Sequence, residues 1–249
     1  MSKEKENYYK VAKPDGTPFH DGQSINYRSS VGKTVTLDEP QFSQTAKLCT
    51  DTVLHASEKV LDALSYAQIP CSIFKVRGKP VTEDSTKCGF KELKVLREIP
   101  ASEFDKLLGF KYLEAVNPFD PRTVRPHEVT KEDLATLKRW SSVWDSVRDS
   151  VWDSVWDSVW SSVWGSVWDS VRDSVRDSAY AYLGTLLPNV KVWKYTEKLP
   201  DFAKKGYPFQ SCVDLIHRGL IPGTDGTKWY LVGYADGKKA SILWEGKVV

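Results

Sequence analysis

The segment WDSVRDSVWDSVWDSVWSSVWGSVWDSVRDSVRDSA, residues 144 to 179, is one four-residue unit, roughly W-D-S-V, written nine times. On an α-helix four residues overshoot a full turn by about 40°, so any face the unit defines winds right-handed around the rod. A heptad drifts the other way and only slightly, giving the ordinary left-handed coiled coil. A helix of such tetrads offers no straight seam to one neighbour; it must be surrounded, be wound nearer four residues per turn, or not be α-helical. As one strand, period four would place Val and Asp on the same face. A solenoid with four-residue sides stays open beside the helix.

Propensity sharpens the constraint. Trp, Asp, Ser and Val each cost about 0.5 kcal/mol in a helix relative to Ala, which approaches roughly 18 kcal/mol over the repeat. A buried Trp or Val returns roughly 1.5–3 kcal/mol, so burial of most of them offsets the deficit. The expectation is a packed helix with Val and Trp/Arg on one flank and Asp and Ser on the other. Its interaction residues are Trp140, Trp144, Trp152, Trp156, Trp160, Trp164 and Trp168, with Val147, Val151, Val155 and Val159. A Trp/Arg ladder can stack unpaired bases. Seven Asp (145, 149, 153, 157, 169, 173, 177) against three Arg (148, 172, 176) repel phosphates, so nucleic acid is not the expected partner. The Asp–Arg pairs 145–148, 169–172 and 173–176 are spaced i,i+3 and support a helix surface. Expansion of a short DNA repeat accounts for the near-identity of the units and is compatible with assembly.

The flanks set the domain plan. Residues 1–112 alternate short apolar segments with turn signals such as PDG and RGKP, which predicts an α+β domain. Residues 113–130 carry three prolines and read as a linker ending at Thr130, a helix N-cap with Glu132 and Asp133 in the first turn. A long central helix is predicted over 131–187, stopped by Gly184 and Pro188. Residues 188–249 predict a small α+β cap: a helix QSCVDLIHRGL, with His217 and Arg218 at its solvated edge, then a hairpin turning on Ala235-Asp236-Gly237. Tyr207, Phe209, Trp229, Tyr230 and Trp244 are expected in its core.

Composition adds exclusions. The chain of 249 residues is 41% hydrophobic and 27% charged, the balance of a globular protein, and a net charge of +2 is too close to neutral to imply a nucleic-acid or anionic-membrane partner by itself. MSKEKENYYK has no apolar signal core, and no apolar run reaches about 18 residues, so a cytoplasmic protein without membrane spans is expected. Cys49, Cys71, Cys88 and Cys212 lack metal-ligand spacing and read as buried reduced thiols. A Cys71–His55 nucleophile–base pair has no evident orienting group. No cofactor or metal is called for.

The stretch from Cys49 to Pro100 reads strand (TVLHAS), helix (EKVLDALSYA, capped by Ser57), strand (CSIFKVRG), polar loop, strand (FKELKVLREI). With its LHAS…A…YA core it resembles the middle of the ADP-ribosyltransferase fold, and also a small domain of uncharacterised phage and bacterial proteins. The resemblance covers roughly residues 8 to 100. Its enzymatic version implies an NAD pocket using His55 or Arg28, Ser57 or Tyr66, and Glu92 as the terminal glutamate, with Phe90 where the paired motif has Glu or Gln. Read from the residues alone, His55 is a satisfied strand histidine and Glu92 a solvated strand position. The tail, YPFQ…VDL…RGL, with the S-V-x-x run before it, resembles another part of such phage and bacterial proteins. Together these features imply a non-enzymatic assembly protein that oligomerises with itself or docks a host or phage protein through the Trp/Val repeat. The alternatives are an NAD-using ADP-ribosyltransferase-like enzyme and a phage inhibitor of a host or defence protein.

Overall fold

The computed structural model describes residues 7–19, 24–152, 176–234 and 239–248. Trp156, Trp160, Trp164, Trp168, Val155, Val159 and the turn around Asp236 lie outside the described residues, as does the side chain of Trp152. The chain divides into two compact units, Met1–Gly109 and Phe110–Val249. Among the described residues the fold is mixed α+β, with eight α-helices and three small antiparallel sheets.

The first unit is built on two sheets. Strands β1 (Tyr8–Ala12), β2 (Thr34–Thr36), β4 (Ser72–Arg77) and β7 (Glu92–Glu98) form one, in the order β1-β4-β7-β2. Strands β3 (Leu54–Ala56), β5 (Thr82–Glu83) and β6 (Cys88–Phe90) form the other, in the order β3-β6-β5. Period-two alternation sets the faces of β7, where Leu93 and Val95 are buried while Glu92 and Lys94 are exposed. Tyr8, Tyr27, Leu54, Phe74 and Phe90 fill the core, with Tyr8 edge-on to Phe90 at 4.9 Å. The unit has short helices α1 (Glu39–Phe42), α2 (Val60–Leu64) and α3 (Phe104–Leu108).

Two local expectations change here. Ser57 does not cap α2: its N–H and C=O exchange hydrogen bonds with Tyr9 (3.0 and 2.8 Å), bridging β1 to the end of β3. Lys59 stands at the N-cap without a side-chain bond. The strand after α2 pairs with β1 and β7, whereas β3 pairs with β6, so the predicted strand–helix–strand run is split between the two sheets.

The second unit contains α4 (Tyr112–Val116), α5 (Lys131–Ser141), α6 (Val147–Trp152), α7 (Arg176–Gly184) and α8 (Gln210–His217). Its sheet runs β8 (Ile221–Thr224), β9 (Trp229–Gly233), β10 (Ser241–Gly246), with β9 central. Pro222 is tolerated because β8 is an edge strand. Both α5 and α7 pack on α8. Phe209 joins Trp140 and Trp193 (6.4 Å each) and Tyr207 (5.5 Å) in edge-on ring contacts, so these aromatics are core. Gly219, at φ +75°, lets the chain turn from α8 into β8, and a Cβ there would stand 2.9 Å from the Val124 carbonyl.

The single long helix over 131–187 is not what the chain forms, and the predicted architecture fails with it. Thr130 caps α5 as expected, in a capping box with Asp133. The helix then stops at Ser141. The hydroxyls of Ser141 and Ser142 bond the carbonyls of Lys138 and Arg139, and Val143 leaves helical geometry at φ −127°. This is the backbone competition that disfavours Ser inside helices. A 3-10 turn, Trp144–Ser146, leads into α6, which packs against α7. The two ends of the repeat are therefore neighbours, where one rod would hold Trp152 and Arg176 about 36 Å apart.

The flank is also redrawn. Val143, Val147, Val151 and Ser150 are buried, Asp145, Arg148 and Asp149 are exposed, and Trp144 is half-buried. Val and the Ser before it are about 100° apart, as are Val and the following Trp/Arg position, so either pairing makes a flank. The chain takes Val with Ser. Among the described residues no helix is long and apolar enough to cross a membrane.

Candidate functional site

The first unit holds a cleft of about 450 Å³. That is within the range of small-molecule sites. Lys10 on β1, His55 on β3, Ser57 after it, Tyr66 beyond α2, and Cys49 and Lys87 from two loops all line it. Each loop has a local cause. The Asp84 carboxylate accepts the main-chain N–H groups of Thr86 (2.8 Å) and Lys87 (2.7 Å), a turn that aims Lys87 inward. Cys49 adopts φ +61°, rare for a non-glycine residue, and its N–H donates to His55 Nε2 at 3.0 Å. In that contact Nε2 is an acceptor, so the ring proton sits on Nδ1.

The electrostatics are unusual for a cleft this small. Lys87 is 8% exposed; its Nζ lies 3.5 Å from the Tyr66 ring centroid and 3.6 Å from Cys49 Sγ. The Tyr66 hydroxyl shares a 2.9 Å hydrogen bond with Thr86. Lys10 Nζ lies 5.2 Å from the Tyr27 ring centroid. Burial, with the positive charge of Lys87 added, pushes the Lys10 ammonium down to about 8. Neither lysine makes an ion pair with a carboxylate among the described residues. Exposed Asp51 also lines the cleft and receives a bond from Gln41 at 3.4 Å.

The cleft unites three residues of the ADP-ribosyltransferase resemblance, His55, Ser57 and Tyr66, and leaves out Glu92 and Arg28. Glu92 is exposed on β7, opposite Thr36 in the four-stranded sheet, and does not line the cleft. Arg28 is bound to Glu98 by two hydrogen bonds (2.9 and 2.7 Å) and to Ser72. Cys71 is buried and outside the lining, so the Cys71–His55 pair is not brought together; the thiol near His55 belongs to exposed Cys49. Lys10, Cys49 and Lys87 have no motif to announce them, and the stretch that carries Lys87 reads only as a polar loop.

A second polar cluster ties the second unit together. Asp133 is fully buried, and its carboxylate accepts the Thr130 N–H (2.8 Å) and hydroxyl (2.7 Å). His127 Nε2 lies at 3.0 Å and Arg218 Nη1 at 2.9 Å. Burial raises this carboxyl, but the two Thr130 bonds, then His127 and Arg218, outweigh it and hold the group below the usual range. Arg218 is thus more than the solvated edge of α8. The hydroxyl beside the His–Asp pair, Thr130, is spent on the helix cap, so the cluster reads as a structural clasp. Among the described residues no group of His, Cys, Asp and Glu is placed to hold a metal ion.

Compared with known proteins, the chain matches no family model, no curated protein and no solved structure.

Proposed function

We propose that the protein is a non-enzymatic interaction protein whose tetrad repeat joins it to a second copy of itself. One observation carries this reading: the bordering units bury Val147, Val151, Ser150 and Ser178 and leave Asp145, Arg148, Asp149 and Arg176 exposed, with Trp144 half-buried edge-on to Trp229. In the described units, internal packing consumes the Val/Ser flank. The Trp/Arg and Asp positions then remain for a partner, and this residue set is rich in the aromatics that dominate interface energetics.

Multi-angle light scattering over a wide concentration range tests the proposal. The expected mass rises above that of one chain and returns to it in a Trp156→Ser/Trp160→Ser/Trp164→Ser variant. A one-chain mass at every concentration overturns self-assembly. A fixed-ratio complex with one host protein, formed by that monomer, favours the inhibitor alternative instead. ADP-ribosyl transfer has less support, because the cleft that gathers His55, Ser57 and Tyr66 lacks the glutamate.

A further inference from the structure

The cation pair in the first unit is unexplained by assembly through the repeat. Burying an ammonium costs several kcal/mol unless a counter-charge compensates it. Lys87 is more than nine-tenths buried; its near partners are a ring and a sulfur, and the exposed Asp84 carboxylate adds only a weak, longer-range charge. Lys10 is half-buried beside Tyr27, close enough to Lys87 to feel its charge. Such a pair suits a doubly charged anion, which can be shared by two ammonium groups, better than a carboxylate. Val11, Pro18 and Phe19 add an apolar wall to the Tyr66 ring.

We propose that this cleft binds a phosphate monoester of an aromatic alcohol, its phosphoryl dianion between Lys10 and Lys87 and its ring against Phe19 and Tyr66. Ser57 lines the same cleft. The other titratable groups facing the cleft are Cys49, Asp51 and His55. An adjoining cleft shares Lys87 and carries Glu58, Asp62, Glu83 and Asp84. Asp84 is taken up by its own turn, and the exposed Asp51 leaves the cleft positive.

Titration calorimetry of the full chain with phenyl phosphate tests this. Affinity should peak between about pH 6, where the monoester becomes a dianion, and about pH 8, where Lys10 loses its proton. Lys10→Met should weaken binding at least tenfold. It should also raise the melting temperature at pH 7, because it removes a buried charge, and this gain should vanish above the pKa of an unfolded lysine, about 10.4. Lys10→Arg, which does not titrate, should bind without the fall above pH 8. Inorganic phosphate should bind more weakly than phenyl phosphate. No heat at millimolar phenyl phosphate, undiminished binding by Lys10→Met, or tighter binding of NAD than of phenyl phosphate each overturns the proposal.

Discussion

Asp133 shows how one residue links three segments that the sequence keeps far apart. Its carboxylate closes the cap of α5 through Thr130, fixes His127 in the segment before it, and receives Arg218 from the end of α8. Because Nε2 of His127 must donate to a carboxylate, it cannot also accept from Arg218, whose Nη2 lies 3.1 Å away. An Asn there keeps one oxygen for the Thr130 and His127 donors and turns an amide NH2, itself a donor, toward the half-buried guanidinium of Arg218. Asp133→Asn is expected to cost about 3 kcal/mol in urea unfolding at pH 7. The folded carboxyl lies below its unfolded value, so its stabilisation is full above about pH 4 and is lost as pH falls through the folded pKa. The gap between wild type and variant should therefore narrow in acid. A gap that stays constant down to pH 2 would mean that the carboxylate charge does not matter. Thr130 and the acidic first turn were legible from residue type and spacing, but the Arg218 partner was not, since no local pattern joins positions so distant.

At the scale of elements, the repeat separates what periodicity dictates from what it leaves open. Geometry permits Val to share a face with either neighbour, and tertiary packing chose Ser, which is small and can return its hydroxyl to the main chain. Ser150 bonds the Lys194 carbonyl and Ser178 the Pro222 carbonyl, so both buried hydroxyls are satisfied. Val151→Ala should cost about 2 kcal/mol by urea unfolding read through Trp fluorescence. Asp149→Ala, one helical step outward, should stay within about 0.5 kcal/mol. Equal costs would show that Val151 is not packed between α6 and α7. Element types were readable wherever a strong local signal stood: the alternation of β7, the Thr130 cap, Gly184 and Gly219. The interruption after Ser141 was not, because each serine's choice between helix and self-bonding is settled by packing. The cleft was half legible: the LHAS strand marks His55 and Ser57, while Lys10 and Lys87 meet only through pairings that no single segment specifies.

At the scale of the whole molecule, each unit closes its own core, and their reporters are conveniently unequal. All ten tryptophans lie in the second unit, from Trp140 onward, and the first unit's large aromatics are Tyr and Phe. Tryptophan fluorescence thus follows the second unit alone, while far-ultraviolet circular dichroism follows both. Phe74 is fully buried in the first core. Truncation to Ala there should cost about 3–5 kcal/mol. If the units are separate cooperative blocks, Phe74→Ala moves the circular dichroism transition to lower urea and leaves the fluorescence midpoint in place. A fluorescence midpoint that falls in step would show one cooperative block. The distinction bears on both proposals, because a first unit that unfolds independently can gain stability from phenyl phosphate without any change in the block that carries the repeat. The expected signature is a ligand-dependent shift in circular dichroism with an unmoved fluorescence curve, and a matching shift in both would tie the cleft to the repeat.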